Sequence, residues 1–578
     1  MKRALRFAVV FSILMLLLIA GAGYLTNKTK QDETAKATTV PDAVEFTTPS
    51  VISSDKMYKR VLKSLNKKSA YIYTNKYQSA VDKILANWKS KGNYTIDSPL
   101  LVVNAYGTNK TGLYIYFKHD YKGTVEYTVS LSATGNDGTA VSSGAAVSGT
   151  AVASGSSVAA GDRDTFARDF TGELYSNPTN MALTEHEGQI IGLVPGRKNY
   201  VTVRLFDETG TQIAKAGYRV TLPADKTISK RMLESVYDRP IGQLSDGLYC
   251  VLHNDDNKHI LFYDNSGVVR ADIPLLASLK AEDVNVRTFD DKLFYPINGK
   301  YYVAVNHLGK MTDLYNLGDD LTSSGDFDLS ATAQLVVGIG SYKGGKTKND
   351  IITGVDLFDR STEVLVDMRD LMSDYYKKNV KTGTKKKPAD WLGLNSVCFV
   401  NDTDIIVSAG KLSSIIRIDN VKTKPTMRYI LGPSTRYAGT KQGDKVYEMD
   451  GNFLAAAGQN DVRFDQYVQG SSTKYYLNMF NNNYTKNGNE KSYFYKYMVD
   501  EDNKKYSLVM SLPVNYSGTN GSAEENKDNY VLITSDNNNV FSEYNAQLNR
   551  LAKFTLAEGE SAYRVIKLDM KGVWFAGD

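Results

Sequence analysis

Five histidines carry most of the chain's potential for proton transfer or nucleophilic attack near neutral pH: His119, His186, His253, His259 and His307. They are scattered, and each is expected on a surface or in a turn rather than in a shared catalytic site. The two cysteines, Cys250 in GLYCVL and Cys398 in NSVCFV, sit inside apolar, strand-like stretches with no CxxC or Cys/His metal spacing. Buried free thiols are expected, with a disulfide as the alternative that an oxidising compartment permits. Lys385-Lys386-Lys387 could attract a sulfated or phosphorylated anion, yet it reads as a solvated insertion loop. Asp500-Glu501-Asp502-Asn503 lacks the glycine and terminal glutamate of a calcium loop and reads as a hairpin turn. No cofactor or metal is expected.

Any site must be positioned by strands. The 39 tyrosines and 45 glycines favour pleated segments joined by tight turns. From about residue 226 onward one theme recurs six times, a strand, a turn with Asp or Asn, and a second strand. The six occurrences are ILFYDNSGVVR, YYVAVNHLGKMTDLY, TGVDLFDRSTEVLV, SIIRIDNVKTKPTMRYIL, YFYKYMVDEDNKKYSLVMSL and FSEYNAQLNRLAKFTL. Gly267 and Gly309 mark a first period of about 42 residues, the length of a propeller blade. A six-bladed β-propeller over 226–578 follows, since an open sheet of so many strands would leave long unprotected edges.

Before it, alternating segments such as NYVTVRLFDETG predict an immunoglobulin-like β-sandwich over 93–225, interrupted by an Ala/Ser/Gly/Val tract at 135–162 expected as a floppy loop. A connector with helical character is expected near Ile228 to Tyr237. Apolar residues at helical spacing between Met57 and Trp88 predict one or two helices over 55–92. Residues 26–54 read as a disordered stalk. Lys2, Arg3 and Arg6 precede an apolar run from Phe7 to Leu25, long enough to cross a bilayer. The rest of the chain is then expected outside the cytoplasm, anchored to the membrane by 1–25, or secreted if cleavage occurs near Ala20, Gly21 and Ala22. With 69 basic and 64 acidic residues, the charge is too balanced to suggest a nucleic-acid partner.

Three ordered segments carry a family resemblance. They are Asp390-Trp391-Leu392-Gly393-Leu394-Asn395-Ser396, the strand from Asp404 through Gly410-Lys411 to Asp419, and Gly458-Gln459-Asn460-Asp461 with Phe480-Asn481-Asn482 downstream. Together they resemble the central motifs of the arylsulfate sulfotransferases, and the likeness extends from about Asn93 to the C-terminus. That resemblance implies an extracytoplasmic enzyme passing a sulfuryl group between phenols through a histidine nucleophile, without a nucleotide donor. The nucleophile's position is Asn460, another family histidine aligns with Gly393 and the arginine with Gly410. The histidine pair expected near Ser324 to Asp328 is missing. An amide nitrogen conjugated to its carbonyl cannot replace imidazole as a nucleophile.

The expected function is therefore a catalytically impaired relative binding a small aromatic or sulfate-ester ligand. Its expected contacts are Asp390, Asn395, Lys411, Gln459, Asp461 and Asn482, with Asn460, Gly393 and Gly410 as the substituted catalytic positions. Two alternatives stand beside it, an active sulfotransferase with a rearranged site and a surface scaffold presenting propeller loops to a macromolecule.

Overall fold

The computed structural model describes residues 44–65, 72–133, 156–158, 169–176, 181–225, 228, 232–253, 259–275, 285–485, 491–518, 521–535, 539–557, 560 and 562–576. The expected membrane segment, most of the expected stalk and most of the low-complexity insert lie outside these residues. No helix among the described residues is long and apolar enough to cross a membrane.

Two helices open the described chain. Helix α1 spans Ser54–Ser64 and helix α2 spans Asn75–Lys91. Ser53 and Thr74 cap them, each side-chain oxygen accepting a backbone N–H of the first turn at 3.3 Å. Met57 and Val61 on one helix, and Tyr77, Val81 and Leu85 on the other, form the buried faces that pack on the sheet below. Just before α1, residues expected to end a stalk instead form two short parallel pairings, Phe46–Thr47 with Gly217–Tyr218 and Val51–Ile52 with Leu101–Val102.

The layer beneath is organised by one 18-residue strand, Leu113–Ser130. Its first half pairs with Leu100–Val103 and Leu183–Ile190, and its second half with Phe170–Glu173 and Lys198–Phe206. Two sheets thus share a strand, with Val125, Tyr127 and Val129 buried between neighbours.

Six four-stranded antiparallel blades follow. Blade 1 consists of Ala562–Leu568, Leu248–His253, His259–Tyr263 and Val269–Pro274. Blade 2 spans 287–316, blade 3 spans 321–367 and blade 4 spans 394–431. Blade 5 spans 460–515 with an added pairing from Glu448–Met449, and blade 6 spans 522–555. Ala562–Leu568 in blade 1, and the first strand of the span in each other blade, line the axis. Each of the six sequence themes forms the outer hairpin of one blade. In blades 1, 2, 3 and 6 the turn is fixed by Asp264, Asn306, Asp356 or Asn545, whose side-chain oxygen accepts following backbone N–H groups.

The ring is closed twice. The chain's last strand supplies the axial edge of blade 1, while Glu234–Tyr237 adds to the outer edge of blade 6. The segment expected to be helical is therefore in part a strand, because its alternating Ser235 and Tyr237 are buried against an otherwise unpaired edge. Ser156–Val158, expected within a floppy loop, pairs in turn with Ser235–Tyr237. The final turn ties the two parts together. Trp574 packs on Phe262 at 4.9 Å between ring centroids, Phe575 lies 5.9 Å from Phe170, and one apolar core runs from the N-terminal sheets into blades 1 and 2.

Cys250 and Cys398 are free and buried. Of the histidines, His186 departs from the expectation of a surface or turn position. His186 is buried and stacked on Phe117 at 4.9 Å, His307 sits in its turn with a buried Nδ1 against Tyr175, and His259 Nδ1 lies 2.5 Å from Asp272 Oδ1. Burial pushes His186 and His307 down to about 4. In the unfolded chain they titrate near 6.5, so between these values the unfolded state binds more protons and stability falls as pH falls. For His186 the full effect is roughly 3 kcal/mol, complete near pH 4 and vanishing above about 6.5. Urea unfolding at pH 7.5 and 4.5 should show the loss, and His186→Phe should flatten it.

Candidate functional site

The propeller axis is built from charged residues. A register shift in the inner strand of blade 3, where Gly325 has φ +111°, places Asp326 on the axis at 2% exposure. Asp326 Oδ1 accepts from Asn285 Nδ2 at 2.7 Å, Arg564 Nη1 at 2.8 Å and Arg463 Nη2 at 3.0 Å, and Oδ2 accepts from Val397 N at 3.1 Å. Both guanidiniums also reach Asp461, Arg463 at 2.8 Å and Arg564 at 3.1 Å. The four charges alternate in a closed ring drawn from blades 1, 3 and 5. Burial alone would raise the Asp326 carboxyl; the facing Arg463 and Arg564 outweigh it and hold the group below the usual carboxylate range.

Above this plug the Asn460 side chain is fully committed. Its Nδ2 donates to Gly521 O at 3.0 Å and Tyr563 Oη at 3.1 Å, and its Oδ1 accepts from Asp461 N at 2.8 Å. Gln459 is buried, donating to Ser408 Oγ and Ser414 O. Asn482 clamps the neighbouring turn, donating to Gly458 O at 2.6 Å and accepting from Gly521 N at 3.1 Å. Gln459, Asn460, Asp461 and Asn482 are thus turned into the frame and do not line the adjoining cavity.

The other five expected positions do line it. A cavity of about 760 Å³ opens between blades 3 and 4, with Asp390, Gly393, Asn395, Gly410 and Lys411 on one side. Gly393 has φ +59°, and a Cβ there would lie 2.7 Å from Lys411 Cγ. At Gly410 a Cβ would stand 2.6 Å from Asn395 Nδ2, so a larger side chain requires that amide to move. Lys411 Nζ donates to Asp390 O at 2.7 Å and lies 3.4 Å from Asp390 Oδ2. Asn395 Nδ2 donates to Gln459 O, while its buried Oδ1 has no protein donor.

Several lining residues were not expected. Tyr563 comes from the last strand, Tyr484 from the far side, and Lys343 and Lys348 from a blade-3 turn. Burial pushes Tyr563 up to about 12, so its hydroxyl stays protonated, and with Asn460 donating to its oxygen the proton is left to donate elsewhere. The only sequence signal for Tyr563 and Asp326 is their place on strands; nothing periodic marks them as axial. No histidine or cysteine lines this cavity, and no group of three metal-ligating side chains occurs among the described residues. Among the described residues the lining thus offers ammonium, hydroxyl and amide groups but no imidazole or thiol.

The sequence pattern of the arylsulfotransferase (ASST) family matches residues 235–571, all but the edges of the propeller. No curated protein matches the chain. Among solved structures, a putative 6-phosphogluconolactonase from Bacteroides uniformis is 11% identical, covering 64% of this chain and 95% of its own, with a TM-score of 0.33. An auxiliary nutrient binding protein from Bacteroides ovatus is 8% identical, covering 78% and 95%, at 0.31. Virginiamycin B lyase from Staphylococcus aureus is 10% identical, covering 66% and 97%, at 0.28. Likenesses this distant carry no argument about activity.

Removing the carboxylate at the axis leaves two buried guanidiniums short of a partner. Asp326→Ala should cost about 3–5 kcal/mol in urea unfolding. Gly393→Ala, strained but nearer the surface, should cost about 1–2 kcal/mol in the same assay.

Proposed function

The chain belongs to the arylsulfotransferase family, and from that premise we propose that it binds an aromatic or sulfate-ester small molecule in the cavity between blades 3 and 4 without transferring its sulfuryl group. The carrying observation is the state of Asn460. Its amide is buried, hydrogen-bonded at both ends and turned from the cavity, so the family's nucleophile position serves to fasten blade 5 to blades 6 and 1. The lysines, the protonated Tyr563 hydroxyl and the rings of Tyr484 and Tyr563 support recognition of an aromatic anion. Gly393 and Gly410, where the family places a proton donor and an anion clamp, carry no side chain, and the space a side chain would take is held by Lys411 and Asn395.

The proposal extends to location. The N-terminal run Phe7 to Leu25 would tether the protein, and the propeller and an immunoglobulin-like domain over 93–225 would stand outside the cytoplasm.

The test is calorimetric titration of the purified protein with 4-nitrophenyl sulfate, run beside a release assay for 4-nitrophenol with phenol as acceptor and intact-mass detection of a sulfo-adduct. Saturable binding, weakened at least threefold by Tyr563→Phe, with no nitrophenol release or adduct, is expected. Turnover would establish a rearranged active site instead, and absence of binding would favour a scaffold.

A further inference from the structure

Among the described residues, three lysines that line the cavity form no salt bridge. Lys343 and Lys348 belong to the turn between the second and third strands of blade 3, and Lys385 to the loop joining blades 3 and 4. Backbone hydrogen bonds stitch that loop to the turn. Gly383 N and Ala389 N both donate to Lys346 O, at 3.1 and 2.9 Å, and Lys348 N donates to Ala389 O at 3.0 Å. The loop's course is thus fixed by the backbone, and it brings all three ammonium-bearing residues to one wall.

Two of the neighbouring carboxylates, Asp390 and Asp319, are already paired with other lysines. Asp390 is taken by Lys411 and by Gly393 N, Asp350 accepts from Trp391 Nε1 at 3.0 Å, and Asp319, which feels Lys343, is itself bound by Lys300. Among the described residues, none of Lys343, Lys348 and Lys385 forms a salt bridge. Like charges gathered on one wall repel one another, and a ligand carrying a single negative charge would relieve only part of that repulsion. The lining also holds the aromatic side chains of Tyr484 and Tyr563, with the Tyr563 hydroxyl available to donate and Asn395 Oδ1 available to accept.

We propose that the ligand is an aromatic anion carrying at least two negatively charged groups, its ring over the tyrosine side of the cavity and its charges distributed along the lysine wall. This rests on the assignment of the cavity as the ligand site made above. It adds a charge requirement which that assignment does not contain.

Titration of the full protein with 4-nitrophenyl sulfate and with 1,3-phenylene bis-sulfate, each at 50 and 300 mM NaCl, separates the two claims. The bis-sulfate should bind about tenfold tighter at 50 mM, lose more of its affinity at 300 mM, and lose its advantage over the mono-sulfate in Lys343→Gln/Lys348→Gln, where both probes weaken and the bis-sulfate weakens more. Equal affinities for the two, or an advantage that survives the double substitution, would overturn the charge requirement and leave the ligand site standing. Failure of both probes to bind would overturn the site and this inference together.

Discussion

The alternating ring of Asp326, Arg463, Asp461 and Arg564 is the constraint around which the propeller is arranged. These side chains come from three inner strands that lie far apart in the chain: Arg564 and Asp326 are 238 residues apart in sequence. Because successive residues of a strand face opposite sides, a one-residue slip in any contributing strand would carry a charge into an apolar layer between blades and leave its partners unmatched. The ring thereby fixes the register of blades 1, 3 and 5. Blade 4 is tied to it through Val397 N, and blade 2 is tied through Asn285 just before its first strand.

Much of this architecture was legible in the sequence, but selectively. The outer hairpins announced themselves because Asp264, Asn306, Asp356 and Asn545 each cap a turn between alternating apolar residues, a purely local signal. The inner strands did not. LTSSGDFDLS and NDVRFDQY place polar side chains on the axis, where only partners from distant blades make burial tolerable. The short edge strands at Ser156–Val158 and Glu234–Tyr237 escaped for a similar reason, since an edge far along the chain selects each of them. At the cavity, Asp390, Gly393, Asn395, Gly410 and Lys411 were found through motif order. Lys343 and Lys348 were not, because backbone bonds between two loops leave no trace in residue type.

Polar side chains beside the cavity serve the frame. An imidazole needs one nitrogen free to act; the Asn460 amide instead spends both ends on neighbours, joining Gly521 and Tyr563 across blades. Lys411 shows the same tendency, its ammonium held by Asp390 rather than left free in the cavity.

The double closure of the ring has a consequence in time. A chain made from its N-terminus can pair Leu248–His253 with His259–Tyr263 early, yet the axial side of Leu248–His253 must wait for Ala562–Leu568, and Glu234–Tyr237 must wait for Arg550–Thr555. Until the last few dozen residues emerge, two strand edges stand open, and the site for Trp574 and Phe575 between blade 1 and the N-terminal sheets is unfilled. Such long-range pairing slows folding and offers nascent edges to other chains. Truncation from the C-terminus would therefore not yield a five-bladed remainder, but a chain arrested with its first blade unfinished.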